Sequence, residues 1–330
     1  MPFNTIDRVR QSTALSYLNP ARDRTNLTMK DDCSVRKILF NGKKAIGVEI
    51  EREGDIFVEK GKEIILSGGA IGSPQLLMLS GIGPKQHLME KEIDVIHDSP
   101  GVGQNLRDHP QVRLIWEVKD EYEHLKDGSK RGATVAIRYT AEGSDLHNDM
   151  MVHHTATVPQ SFYMTDGEDM YKGIGMTACL YLQIGSGELL LRAPDPNVQP
   201  YLNYNYFREE EDLRRMRECV RLCAEVGEGT SYKAIVTKRV QPSDKELQDD
   251  DLLDLWIRKN SATSHHISST CKMGPESDPM AVVDQYGKVH GIENLRVADA
   301  SIMHDCVRAN TNVPSMMVGE KVAEFIMQGK

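Results

Sequence analysis

The stretch from Asn294 to Glu324, NLRVADASIMHDCVRANTNVPSMMVGEKVAE, does most to restrict what this chain can become. Leu295 and Val297 mark a short apolar strand that delivers Asp299 and Ala300. An irregular polar loop at 308–312 then leads to Pro314, which suits the first turn of a helix because its missing N–H is an orphan there anyway. The helix that follows is expected to bury Met317, Val318, Val322 and Phe325 and to expose Glu320, Lys321 and Glu324. A helix start of this kind aims unpaired N–H groups and a positive dipole end at whatever lies in front of it, which favours a ligand that is or becomes negative. The same pattern also describes an ordinary capped helix packed on a strand.

A second stretch, residues 264–274 (SHHISSTCKMG), is polar and carries the pair His265 and His266. The remaining composition narrows the class. With 330 residues there is material for two domains or one large one, and 40 Lys plus Arg against 49 Asp plus Glu leave a net charge of −9, so no basic footprint for nucleic acid exists. The six cysteines are scattered without a CxxC, which points to reduced thiols. Cys219 and Cys223 stand one helical turn apart on a face expected to be buried, so they read as core rather than metal ligands. His153 and His154 have no third ligand at telling spacing, HExxH and GxSxG are absent, and no metal is expected. The uncharged run from Ile64 to Pro84 has membrane-spanning length, but its five Gly, two Pro and three Ser make it strand, turn and helix. The first residues lack the apolar core of a secretory signal, so the default location is cytoplasmic.

Along the chain, residues 8–28 predict a short helix over Thr13 to Leu18 that ends near Asn19-Pro20. Residues 35–40 and 45–50 flank a turn containing Asn41-Gly42, the dipeptide that best tolerates the positive φ of a tight hairpin. Strands at 56–58 and 63–66 follow. Next, Ser73 reads as an N-cap, Pro74 as the first helical position and Gly81 as the helix end. On chemistry alone this glycine-rich turn is as consistent with a ligand contact as without one. From 111 to 205 the pattern alternates, as in Val112-Leu114-Trp116-Val118 and Cys179-Tyr181-Gln183, predicting half-buried strands. Residues 209–226 predict an amphipathic helix with Leu213, Met216, Val220 and Cys223 on one face and Arg214, Arg215 and Glu218 on the other. Another helix is expected at 250–259. Residues 173–178, GIGMTA, have the letters of a dinucleotide fingerprint but follow no strand and open no helix, so that reading is discarded.

Four segments, in order, carry a resemblance: GAIGSPQLLMLSGIG at 69–83, GVGQNLRDH at 101–109, HISSTCKMG at 266–274, and RVADASIM with NTNVPSMMVGE near the end. Together they resemble the glucose-methanol-choline (GMC) oxidoreductases, FAD enzymes that oxidise alcohols. The resemblance implies an α/β fold: an incomplete, Rossmann-like FAD-binding domain from residues 1–110 and 281–330, plus an α+β substrate domain at 111–280 built as an antiparallel sheet flanked by helices. It implies that His266 is the active-site base and Asn312 its partner. Asp299 and Ala300 would line the flavin's phosphate and ribityl region, Val35 would hold the adenine end by its backbone, and Val313 with Pro314 would lie against the isoalloxazine ring. The partners implied are a small-molecule alcohol and an electron acceptor, oxygen or another.

Elementary chemistry agrees with those assignments. Alcohol oxidation needs the hydroxyl proton removed as hydride leaves carbon, and an imidazole with a pKa of about 6.5 suits that work near neutrality. Asn312 can donate to the substrate oxygen without changing charge. Departures from the family pattern are Ile267 where proline is usual, His265 before the active histidine, and His304 after DASIM. The strand, GxGxxG and helix with which the family begins are also not found, so a separate N-terminal segment or subunit is expected to complete the FAD site. The alternatives are a non-redox flavin lyase of the same family, or an inactive fragment or partner subunit.

Overall fold

A computed structural model describes residues 4–7, 9–122, 135–155 and 173–330. Near the start, Ala14–Leu18 forms a wide-turned helix that runs on through an α-helical turn at Asn19–Ala21. The helix ends at Ala21, close to Asn19-Pro20 as expected, with Pro20 in the first turn of the α-helical segment.

The hairpin forms as its sequence predicts. Ser34–Asn41 (β1) pairs antiparallel with Lys44–Arg52 (β2), Asn41 faces Lys44, and Gly42 supplies a φ of +61° in the two-residue loop. Asp55–Lys60 (β3) adds to β2. Ile64–Leu66 (β4) then pairs with a strand from the far end of the chain, as described below. The following helix, Gly69–Leu79 (α1), starts five residues before the expected position, so Ser73 and Pro74 lie inside it. Proline is tolerated there because its effect is absorbed: Pro74 cannot donate to the Ala70 carbonyl, and the Thr270 hydroxyl donates to that oxygen instead, at 2.7 Å. Ser73 still serves the helix start, since its Oγ accepts from Gly68 N at 3.0 Å. Gly81, at φ +84°, follows the helix as expected.

The middle of the chain builds an antiparallel sheet. Pro110–Val118 (β5) is its central strand, and Ala136–Tyr139 (β6), Met150–Thr155 (β7) and Gly173–Leu180 (β8) lead up to it in the order β6-β7-β8-β5. The GIGMTA letters fall inside β8, a fully buried strand. On one face, Val112, Leu114, Trp116 and Val118 of β5 meet Glu210–Gly227 (α2), which buries Leu213, Met216, Val220, Cys219 and Cys223. Val236–Gln241 (β9) pairs with the other side of β5, Asp250–Asn260 (α3) packs on α2, and Ala262–Thr263 (β10) pairs with the beginning of β5. Contrary to a half-buried alternation, β5 is buried on both faces except at Glu117, since Gln111, Arg113 and Ile115, on the face away from α2, are covered as well.

One helical residue also departs from its periodicity. Arg215, expected on the solvent face of α2, is wholly buried and bonded to Asp149 at 2.7 Å and Asp212 at 2.6 Å. The reason is non-local: two carboxylates and the Leu182 carbonyl, at 3.0 Å, supply the partners a buried guanidinium needs.

A separate core gathers Leu66, Leu77, Met78, Ile82, Leu106, Val283, Val297 and Ile302. It also takes in Leu189, Leu191, Leu202, Cys271 and Met273, so segments near 190–202 and 271–273 pack with the flanking body rather than with the sheet. Leu295–Val297 (β11) pairs parallel with β4, Leu66 facing Val297, which sets Asp299 beside the start of α1. The last helix is Asn312–Met327 (α4). It buries Val322 and half-buries Val318 and Phe325, residues on one face at i, i+4 and i+7, but Met317 lies off that face and is 59% exposed, against expectation. Among the described residues no helix is long and apolar enough to cross a membrane.

Candidate active site

Strand pairing builds the site. β10 lies against Pro110 and Gln111, and the chain beyond it continues antiparallel to residues 107–109: Ser264 N donates to the His109 carbonyl at 3.1 Å, and Arg107 and Ser268 exchange backbone bonds at 3.0 and 2.9 Å. This return brings residues 264–268 across the entry to the central strand. Asp108 pins it, accepting from His266 N at 3.0 Å through Oδ1 while the Tyr206 hydroxyl donates to Oδ2. His265 takes a left-handed φ of +60° and turns to the exposed side, whereas His266 turns inward and is 8% exposed.

Inside, the Nδ1 atoms of His266 and His109 lie 2.9 Å apart, with the rings edge-on at 75°. The His109 ring sits 4.0 Å from that of Tyr181, which forms the next layer. Burial pushes the His266 pKa down to about 4, helped by the charge of nearby His265. Burial and then His266 push His109 down to about 3. Both rings are therefore neutral at pH 7, and one N–H lies between them. Burial moves Asp108 up, against hydrogen bonds from Thr263, Tyr206 and the backbone of His109 and His266.

The four sequence motifs meet at one residue. Thr270 is fully buried; its hydroxyl reaches Ala70, its carbonyl accepts from Gly103 N at 2.8 Å, and its neighbours Ser269 and Cys271 donate to the carbonyls of Ala300 and Ser301 at 3.1 and 2.8 Å. Asp299 completes the junction: Oδ2 accepts from Ser73 Oγ at 2.6 Å and Gly69 N at 3.0 Å, and Oδ1 from Ser301 N at 2.8 Å. Ala300 opens the 3-10 turn Ala300–Ile302, half-buried between α1 and α4.

The other expected site residues lie outside this network. Asn312 is the first residue of α4, exposed, and no hydrogen bond joins it to His266 among the described residues. Val313, 59% exposed, and half-buried Pro314 follow in the same first turn. Val35 stands exposed at the beginning of β1. His109, Asp108 and Thr270 were each inside a motif quoted from the sequence, yet only their three-dimensional pairing marks them as site residues.

Two family models described as GMC oxidoreductase match residues 1–111 and 185–319. The chain belongs to the GMC oxidoreductase family. The match to the N-terminal family model runs from residue 1 to 111 and does not confirm the expectation of a missing opening segment. The chain is 34% identical to oxygen-dependent choline dehydrogenase 1 of Chromohalobacter salexigens over 98% of its own length and 62% of that protein. It is 37% identical to the mitochondrial choline dehydrogenase of Mus musculus, over 96% of this chain and 56% of the mouse protein. It thus spans roughly three fifths of the curated relatives it matches. The fold is shared with pyridoxine 4-oxidase from Mesorbium loti, with a TM-score of 0.86 at 22% identity, covering 98% of this chain and 63% of that one.

Proposed function

We propose that this GMC chain takes part in FAD-dependent oxidation of a CH–OH group to an aldehyde or ketone, with His266 as the base. The observation that supports this reading is a neutral, buried imidazole held by its backbone to Asp108 and by its ring to His109, four residues before Thr270, where the family motifs are tied together. Choline and similar small alcohols are the first substrates to consider, since curated relatives are choline dehydrogenases.

The residues present fit FAD. Around the start of α1, an added Cβ on Gly69 or Gly72 would meet no atom within 4 Å, so that side of the helix start has room for a ligand. Asp299 fixes the same helix start, Ala300 lies between it and α4, and Val313 and Pro314 present the first turn of α4. In the proposed assignment Asp299 and Ala300 line the phosphate and ribityl region, Val35 holds the adenine end through its backbone, and Val313 with Pro314 lie against the isoalloxazine ring. Residues 1–110 and 281–330 form the FAD side and the antiparallel sheet the substrate side. No strand-turn-helix of this sequence carries GxGxxG, and a further polypeptide segment bearing one would complete the grip on the pyrophosphate.

When bound, FAD supplies the two-electron acceptor for hydride from the carbinol carbon. The work of this chain is the proton. His266 accepts the hydroxyl proton as the C–H electron pair departs, so the alcohol loses one proton and one hydride and a C=O bond forms. A depressed pKa keeps the imidazole unprotonated at neutral pH, though it makes the ring a weaker base than an unperturbed imidazole. Asn312 would donate to the substrate oxygen without changing its own charge, and the start of α4 would favour negative charge on a flavin held against Val313 and Pro314. Oxygen or another oxidant closes the cycle.

The test is anaerobic mixing of FAD-loaded protein with choline and a panel of primary alcohols. His266→Ala is expected to slow flavin reduction by roughly 10²–10⁴-fold, the usual scale for loss of a general base. Reduction at the unaltered rate would sink the assignment of His266.

A further inference from the structure

We propose that the alcohol this chain handles is negatively charged and that Arg138 selects it: a hydroxy acid whose carboxylate meets the Arg138 guanidinium while its hydroxyl meets His266. The inference rests on the reading of His266 as the base and narrows the class of alcohol.

Strand register brings the two groups together. Arg138 of β6 lies opposite Met151, Met151 opposite Cys179, and Cys179 opposite Gln111, so all four share the face of the sheet turned away from α2. Contacts on that face agree: Cys179 Sγ lies 3.8 Å from Gln111 Oε1, and Tyr181 packs with Met151 and Cys179. Tyr181 then links the face to the base. Its ring centroid is 4.0 Å from that of His109 and 6.3 Å from that of His266, and the guanidinium carbon of Arg138 lies over the same ring at 5.3 Å. A single aromatic ring therefore stands between the cation and the base.

The charge on this face has one sign. Arg138 is exposed, on the outermost strand of the sheet, and its side chain makes no ion pair or hydrogen bond among the described residues. A guanidinium lying over a ring keeps its N–H edges for a carboxylate, which it can grip in the two-pronged geometry that suits both groups. Arg113 adds a second cation to the face, its Nε 3.4 Å from Thr177 Oγ1, whereas β6, β7 and β8 contain no Asp or Glu. A quaternary ammonium such as that of choline is held by a carboxylate or an open aromatic face. Here those strands offer no carboxylate, and Tyr181 already carries a cation. An incoming ammonium would meet like charge, and an anion would meet its complement. The carboxylate itself does not react: the hydroxyl proton passes to His266, the hydride to FAD, and the CH–OH of the hydroxy acid becomes C=O.

The test pairs each charged alcohol with a neutral twin. Hydroxy acids of increasing chain length, from glycolate upward, are compared with their amides and with choline as reductants of the FAD-loaded protein without oxygen. The best acid is expected to exceed its amide by about 10-fold or more in the second-order rate constant of flavin reduction, and to exceed choline. Arg138→Gln should lower the acid-to-amide ratio by about 10- to 100-fold, through the dissociation constant rather than the limiting rate, and Arg138→Lys, which keeps the charge, should restore part of it. Each ratio compares two substrates on one variant, so damage common to both cancels. An acid no better than its amide in the wild type overturns the proposal, as does a ratio unchanged in Arg138→Gln. If no alcohol reduces the flavin, the functional reading has failed, and calorimetric titration of the acids and amides decides the anion site separately. Acid binding that is tighter than amide binding and lost in Arg138→Gln upholds the site; equal or absent binding overturns it.

Discussion

Arg215 shows how a single residue can carry a structural load that helical periodicity misassigns. Its guanidinium donates to Asp149, 66 positions away, to Asp212 and to the Leu182 carbonyl. Those carboxylates accept in turn from Ala141 N and Ser144 Oγ, and from Ile184 N and Gly185 N, so two loops are tied to α2. Arg107 holds the same loop from the other side through the carbonyls of Gln183, Ile184 and Gly185, two residues before His109. Removing one partner strands buried charge, so Arg215→Ala is expected to lower unfolding stability by about 3–5 kcal/mol, measured by urea denaturation. A loss below about 1 kcal/mol would contradict this role. His266 was legible at this scale because its motif names it. His109 and Arg215 were not, since each acquires its role from a partner distant in sequence.

At the level of elements, the hairpin β1–β2, the strand β11 and the helices α2 and α3 follow from local patterning, since turn chemistry and periodicity both act within a few residues. The start of α1 does not. Ser73-Pro74 has the composition of a helix entry, but the actual entry is earlier, made possible by Asp299 at Gly69 N and by Thr270 at the Ala70 carbonyl. Thr270→Val keeps the shape and removes the donor, leaving that buried carbonyl without a partner. The expected cost is about 1–3 kcal/mol in chemical denaturation, with faster amide exchange in α1. Unchanged exchange and stability would show that the carbonyl finds another donor.

The molecule as a whole carries a pH dependence from its buried imidazoles. His109 is pushed down to about 3, and His153 and His266 to about 4, chiefly by burial. Each binds its proton more readily in the unfolded chain, at about 6.5, so stability is complete above that value. As pH falls from about 6.5 toward 4 the unfolded state takes up protons that the fold refuses, and stability drops by up to about 1.4 kcal/mol per pH unit per histidine. The melting temperature should therefore fall between pH 7 and pH 5, less steeply in His109→Asn; a flat profile would mean that these rings are hydrated. The sheet and the flanking body were foreseeable from alternation and motif order. The packing of segments near 190–202 and 271–273 against that body was not, because nothing local in those residues distinguishes one core from the other.

The most direct measurement is the visible absorption spectrum of the purified protein with FAD, followed without oxygen as choline and then simple alcohols are added. Once a polypeptide segment bearing GxGxxG is supplied with the chain, near-stoichiometric flavin binding and bleaching by an alcohol, but not by its aldehyde, is the predicted result. A protein that leaves FAD free in solution, or that binds it and keeps its colour with every alcohol, would contradict the account.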